Sequence, residues 1–199
     1  HQNWLDPEIA NLQPVLNSWW LYVHVSVIVA SYGPFAMGMI LGIFALFLIV
    51  FTTDKNKKKM ELHLKELTVI NEMAITVGLV MLTIGNFLGG MWANESWGRY
   101  WGWDPKETWA LISIMVYAFV LHMRLIPGLR GRFTFNLWSI LAFASIMMTY
   151  FGVNFYLSGL HSYASGDKVI TPTSVYYSVI FIVILGGFAW FKNNKHYKK

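Results

Sequence analysis

Long apolar stretches dominate this sequence and restrict it to one class of fold. A helix needs roughly 20 apolar residues to cross the hydrocarbon core of a bilayer, where backbone N–H and C=O groups must be paired within the chain. Five stretches approach or exceed this length, at residues 19–51, 68–92, 109–126, 136–157 and 174–191. We therefore predict an all-α protein, a polytopic membrane helix bundle of about five transmembrane helices in contact with membrane lipid.

The composition also indicates burial in lipid rather than in water. Of the 199 residues, 56% are hydrophobic and 13% are charged, whereas soluble domains carry about 25% charged residues. The chain has no cysteine, which excludes disulfides, thiolate ligands and thiol nucleophiles of its own. Its net charge of +5 comes from short clusters beside the apolar stretches. We therefore expect no nucleic-acid binding.

Basic residues indicate how the helices are oriented, because such clusters remain on the cytoplasmic side. They follow the first, third and fifth stretches, at Lys55, Lys57, Lys58, Lys59, Lys65, Arg124, Arg130, Arg132, Lys192, Lys195, Lys198 and Lys199. The opposite ends carry only Arg99, Lys106 and Lys168, so we expect them together on the outside. Because the chain starts at His1 and not at methionine, we expect residues 1–199 to be a single integral-membrane domain of a larger polypeptide.

One loop has an unusual concentration of aromatic residues. The segment 97–109 reads WGRYWGWDPKETW, with four tryptophans and a tyrosine in thirteen residues. Ordinary interfacial belts scatter such residues singly near helix ends. We predict an external tryptophan-rich loop over 93–109 that offers a flat surface to a large planar ligand. The rings expected to form this platform are those of Trp97, Trp101, Trp103 and Trp109.

Two histidines are expected on the same side of the membrane as this loop. His24 lies near the external end of the first stretch and shares a helical face with Trp20 and Tyr32. His161 lies between the fourth and fifth stretches. Each alone is more simply a helix-end residue or a solvated loop residue. With the tryptophan loop between them, they indicate the two axial ligands of an iron porphyrin, and haem iron is the only metal expected.

A third histidine, His122, is expected inside the third stretch, about 20 Å along the helix from Trp109 at 1.5 Å per residue. An ionisable group at such a depth generally faces a partner or a cavity rather than lipid. His122 is then either a neutral residue hydrogen-bonded to another helix or the ligand of a second haem. In the second case the opposite ligand comes from elsewhere, since we find no other histidine in the inner half of a predicted span.

Polar residues near the apolar stretches have simpler interpretations. Asp104 precedes a proline and is expected to cap the helix that begins there, which shapes the platform. Arg99 or Lys106 is expected to pair with the propionates of the porphyrin. Asn71 and Glu72 most simply mark the start of the second helix.

The segment 97–111 resembles the tryptophan-rich WWD signature of haem-handling proteins. Its WDPKETWAL portion is most similar to the CcsA/ResC branch, which acts in system II cytochrome c synthesis. Segments 20–25 and 159–163 resemble the two flanking external histidine segments of that family, so the resemblance covers nearly the whole chain. It implies that His24 and His161 ligate haem at the outer site. It also implies that His122 ligates haem within the membrane.

The resemblance further implies transport of haem b across the membrane and its presentation for covalent attachment to apocytochrome c. The chain would be a component of a cytochrome c synthase, or haem lyase. We add the hypothesis that the histidine of the apocytochrome displaces His24 or His161 at the iron. The expected partner is a CcsB/ResB-type membrane component, separate or fused, because neither it nor a second intramembrane histidine is found in the sequence. The expected location is the bacterial inner membrane, with the functional loops in the periplasm; a thylakoid membrane is the alternative.

Three other functions remain open from the sequence. A system I haem-handling protein of the CcmC or CcmF type shares the tryptophans but is less similar after the aspartate. A b-type electron-transfer subunit would place paired histidines within facing helices, whereas this chain has one deep histidine and two near one face. A structural membrane subunit would use its tryptophans as interfacial anchors and bind no haem.

Overall fold

The computed structural model describes residues 17–157, 159–161 and 171–197. In this part of the chain the helices are α1 (Trp19–Val50), α2 (Lys57–Trp97), α3 (Pro105–His122), α4 (Arg132–Met147), α5 (Val153–Tyr156) and α6 (Thr173–His196). A 3₁₀ turn (Met123–Leu125) follows α3, and a π-helical turn (Met148–Gly152) joins α4 to α5. Five helical segments are long and apolar enough to cross a membrane. The predicted all-α membrane bundle is confirmed.

The second helix is longer than its apolar stretch. It begins at Lys57 rather than near residue 68, because lysine, glutamate and leucine are good helix formers on either side of the lipid boundary. It continues to Trp97 and ends at Gly98, whose φ of 69° is a left-handed helix-ending conformation. The connection to α3 is therefore residues 98–104, shorter than the loop predicted over 93–109.

The helices alternate in direction, which gives the bundle two chemically different ends. At one end, which we call the basic end, Arg124 of the 3₁₀ turn pairs with Glu72 of α2, and Lys192 of α6 donates to the Thr52 carbonyl at 3.5 Å. The opposite end holds residues 98–104, and we call it the tryptophan end. The predicted grouping of the basic clusters holds for the described residues; Lys168, Lys198 and Lys199 lie outside them.

The core is formed mainly around α1, which packs along α2 and also contacts α4 and α6. Near its middle, the rings of Phe35 and Tyr117 stack with centroids 3.9 Å apart. The outer surface is apolar as well: Phe87 and Phe188, for example, are 62% and 63% exposed. An apolar core inside an apolar surface is the pattern expected of a bundle that lipid surrounds.

A buried amide cluster lies toward the basic end and corrects one prediction. Asn71 does not mark the start of α2: it is fully buried within that helix. Its side-chain amide donates to Asn136 Oδ1 at 3.0 Å and to Ser139 Oγ at 2.9 Å, both on α4. Because hydrogen bonds between helices hold membrane bundles together where lipid competes poorly, this cluster fixes α2 against α4.

Candidate functional site

A cavity of about 510 Å³ opens at the tryptophan end, between the first turns of α1, the last turns of α2 and the start of α3. Its volume lies in the range typical of small-molecule and cofactor sites. Four of the residues singled out from the sequence line it: His24, Trp101, Lys106 and His161. The fold thus brings together two histidines that are far apart in the sequence.

The two histidines meet on a shared indole. The ring of His24 stacks on Trp92 with centroids 5.3 Å apart, and the ring of His161 lies 6.0 Å from the same indole. Trp97 meets the ring of His161 edge-on at 4.9 Å and lies 4.8 Å from Trp92, so the two indoles pack beside each other against His161. Since both imidazoles contact Trp92, their separation cannot exceed the sum of these two distances.

Each histidine is held through its Nδ1 atom. His24 Nδ1 bonds to the carbonyl of Trp20, one turn earlier in α1, at 2.6 Å. His161 Nδ1 bonds to the carboxylate of Asp104 at 2.8 Å. Among the described residues, no group bonds to the Nε2 atom of either ring. Both rings therefore keep one nitrogen available to a ligand.

Asp104 connects the tryptophan loop to His161. It caps α3, as predicted, by accepting from the Lys106 backbone N–H at 3.0 Å, and its other carboxylate oxygen accepts from the Leu160 N–H at 2.6 Å. Burial alone would raise the pKa of this carboxyl, but the hydrogen bonds from His161 and the two backbone N–H groups outweigh burial and hold its pKa below the usual value. Asp104 is therefore an anion at neutral pH.

Two further features fix the loop around Asp104. Glu107 completes a capping box by accepting from the backbone N–H groups of Asp104 at 3.2 Å and Gly102 at 2.9 Å. Gly159 lies so close to the Asp104 carboxylate that a Cβ atom there would collide with it. A glycine is thus required where the His161 segment approaches the cap of α3.

The four tryptophans predicted to form the platform do not all lie at the cavity. Trp101 is half-buried and lines the cavity, whereas Trp109 and Trp103 do not line it. Trp103 is 70% exposed, meets the ring of Trp101 edge-on at 5.7 Å, and has a φ of 57°, an uncommon conformation for a residue with a side chain. Trp97 is packed against His161 rather than spread across the cavity surface.

The two candidates for binding propionates also differ. Lys106 lines the cavity, and its ammonium group donates to Asn154 Oδ1 of α5 at 3.2 Å. Arg99 is exposed and turns back on its own loop, donating weakly to the Gly102 carbonyl at 3.4 Å. Of the pair, only Lys106 is placed to meet an anionic group inside the cavity.

His122 lies apart from this site. It is the last residue of α3, near the basic end, and is exposed on the surface of the bundle. Its Nδ1 atom bonds to the Ala118 carbonyl at 2.7 Å, within its own helix. The structure brings no other histidine of the described residues to this position.

Comparison with known proteins identifies the family of this chain. Residues 5–161 match the family described as cytochrome C assembly protein. The chain belongs to this family. The matched range includes His24, His122 and His161.

Three named proteins are similar to most of this chain. Protein NrfI of Wolinella succinogenes is 57% identical over 169 residues, which cover 85% of this chain and 19% of that protein. Cytochrome c biogenesis protein CcsA of Prochlorococcus marinus strain MIT 9215 is 40% identical, covering 77% of this chain and 57% of the relative. CcsA of Chlamydomonas reinhardtii is 42% identical, covering 76% and 42%. The chain thus spans only part of these relatives.

Sequence reasoning missed two elements of the site in this cytochrome c assembly protein. Trp92, only 1% exposed, is the indole that both histidines contact, but it lies before the conspicuous tryptophan cluster. Tyr100 folds back over α2, donates its hydroxyl to the Phe87 carbonyl at 2.7 Å, and packs where Gly90 has no side chain. The adjacent glycines at 89 and 90, within an apolar helix, were the available signal of close approach.

Proposed function

We propose that this chain binds haem b at its tryptophan end, with His24 and His161 as axial ligands, and presents it for covalent attachment to apocytochrome c. One observation carries the proposal: two histidines 137 positions apart in the sequence lie on one indole in one cavity. Their Nε2 atoms have no partner among the described residues, and neutral imidazole nitrogen is a common ligand of haem iron.

The remaining lining suits the rest of the molecule. Trp101 offers an aromatic wall at the side of the cavity, and the aliphatic residues of α1 beside His24 supply an apolar surface for the macrocycle. Lys106 supplies a positive charge for a propionate, and we propose it for this role in preference to Arg99. Membership of the cytochrome c assembly family supports haem as the ligand.

The role of the chain in the reaction is to position its substrates. Thioether formation joins the haem vinyl groups to two thiols, and the chain, which has no cysteine, leaves both thiols to the apocytochrome. His24 and His161 would hold the haem iron in a fixed orientation at the edge of the bundle. Holding two reactants in a productive geometry can by itself contribute much of the rate enhancement of such a step.

The same reasoning gives an orientation and a partner. The described basic clusters lie at the end opposite the cavity, which supports a tryptophan end that faces the periplasm of a bacterial inner membrane, or a thylakoid lumen. His122, exposed on the side of α3, supports a CcsB-type membrane component that covers it with further helices. In that arrangement His122 would ligate a second haem on its way to the tryptophan end.

The test uses the full-length protein, purified with an apocytochrome c substrate. We expect His24→Ala and His161→Ala each to lower bound haem, measured as pyridine haemochrome, and the yield of covalent cytochrome c, measured by haem staining. His63→Ala is the matched control, because His63 lies on α2 near the basic end and its half-exposed side chain pairs with Glu66. Normal haem content and normal maturation in both cavity variants would contradict the proposal.

A further inference from the structure

The two candidate iron ligands are oriented by different chemical groups. A carbonyl oxygen and an ionised carboxylate are both acceptors only, so the Nδ1 atom of each histidine must carry the proton and donate it. The Nε2 atom of each ring then has a free lone pair. The hydrogen-bond partners thus assign the same tautomer to His24 and His161, suited to iron binding.

The acceptors nevertheless differ in strength. His161 donates to the anionic oxygen of Asp104, whereas His24 donates to the neutral Trp20 carbonyl. A hydrogen bond to an ionised acceptor is roughly twice as strong as one between neutral groups. A carboxylate that accepts from a metal-bound histidine also raises the basicity of the nitrogen facing the metal.

The acceptors also differ in how firmly they are fixed. Asp104 is held by backbone N–H groups from two segments of the chain, Lys106 at the start of α3 and Leu160 next to His161. The carboxylate therefore ties the His161 segment to the end of a helix. The Trp20 carbonyl lies in the first turn of α1, and its bond to His24 is a contact within one helix.

We propose that the two histidines hold the haem iron with unequal strength. Asp104 is a positioning residue that makes His161 the ligand retained during transfer, and His24 is the ligand that exchanges. During transfer, the bond from iron to His24 Nε2 breaks and a bond from iron to the histidine of the apocytochrome forms. No electron or proton is gained or lost in that exchange. The inference rests on the proposed haem site and decides between its two histidines.

A double-mutant cycle in the full-length, haem-loaded protein tests this inference. The variants are His24→Ala and His161→Ala, each with and without Asp104→Asn, and the readout is the rate at which excess apomyoglobin removes the haem. Asparagine keeps the size of aspartate and one oxygen that can cap the helix, but its NH2 group replaces the second acceptor oxygen. The substitution therefore removes the charge and one hydrogen bond, and the His161→Ala background separates the effect on the loop from the effect on the ligand. Glu95→Gln, an exposed residue near the end of α2, controls for the loss of one negative charge at this end of the bundle.

We expect His161→Ala to release haem faster than His24→Ala does. Asp104→Asn should accelerate release about 10–100-fold in the His24→Ala protein, the usual cost of removing a group that orients a metal ligand, and should have no effect in the His161→Ala protein. Asp104→Asn alone should also raise the haem midpoint potential, because a less basic ligand stabilises the ferric state less.

Three results would overturn the inference while leaving the proposed function intact. The first is faster haem release from His24→Ala than from His161→Ala. The second is equal acceleration by Asp104→Asn in both backgrounds, which would mean that Asp104 only stabilises the loop. The third is an equal effect of Glu95→Gln. If neither histidine variant changes haem release, the proposed haem site itself is wrong.

Discussion

The two ends of the bundle use charged residues in different ways. At the basic end, ion pairs join helices across their surfaces: Arg132 pairs with Glu61 at 3.3 Å, and their side chains are 40% and 48% exposed. At the tryptophan end, Asp104 is 5% exposed and each of its carboxylate oxygens accepts from a group fixed by the backbone. The charges of the basic end lie at the surface and indicate how the helices are oriented, whereas the buried charge of Asp104 at the tryptophan end positions the residues of the cavity.

This difference accompanies a difference in cavity size: within the described residues, the cavity at the tryptophan end measures about 510 Å³ and the one at the basic end about 110 Å³. Exposed ion pairs hold long, mobile side chains in water and contribute little free energy. A buried carboxylate that accepts several backbone N–H groups fixes the loops that supply them. We therefore expect stability and haem binding to depend more on the buried contacts of the tryptophan end than on the ion pairs of the basic end.

The largest effect is expected from Trp92, on which both cavity histidines lie. Trp92→Ala should lower the free energy of unfolding by about 3–5 kcal/mol, because truncation of a buried aromatic ring leaves a cavity. Steric trapping of the protein in bicelles measures this change. Trp103→Ala is the matched control at an exposed ring, with an expected change within about 0.5 kcal/mol. Similar losses in the two variants would show that this end is an ordinary interfacial belt.

A smaller effect is expected from the capping box. Glu107→Ala removes the acceptor of two backbone N–H groups, those of Gly102 and Asp104, and should cost about 1–2 kcal/mol of unfolding free energy. Glu107→Gln keeps an acceptor at the same position and should restore most of the loss. Equal losses from alanine and glutamine would mean that the charge of Glu107, rather than its hydrogen bonds, stabilises the loop.

The corresponding change at the basic end should cost less. Glu72→Ala removes the partner of Arg124, whose side chain is 68% exposed, and should lower the unfolding free energy by at most about 1 kcal/mol. Raising the salt concentration should reduce this difference further, because exposed charges are screened. A loss larger than that of Glu107→Ala would reverse the proposed contrast between the two ends.

The fold could be predicted from the sequence because lipid imposes simple rules. Apolar length located all five helical segments, and the positions of lysine and arginine grouped their ends. The length of the apolar stretch did not predict where a helix extends beyond the lipid, as α2 does at its start. The prediction that Asn71 marks the start of α2 was also wrong. In the sequence, a polar residue that forms hydrogen bonds to another helix looks the same as a polar residue at a helix end.

The site could be predicted only in part. Residue types and the tryptophan cluster indicated His24, His161 and Lys106, and the structure places all three on one cavity. The Asp104 contact with His161 was missed, although the capping role of Asp104 was predicted from its own neighbours. Local sequence patterns reveal caps because these involve adjacent residues, whereas a bond between residues 57 positions apart depends on how the loops pack.

The smallest effect on stability is expected from His122→Ala. The side chain is exposed and bonds only within its own helix, so the change in unfolding free energy of this chain should stay within about 0.5 kcal/mol. An exposed imidazole beside lipid is costly, which supports the covering partner proposed above. In the full-length complex we therefore expect His122→Ala to reduce the number of bound haems, while His24 and His161 still hold theirs. Loss of the haem at the tryptophan end, measured by haem spectra of each variant, would show that the two ends are not independent.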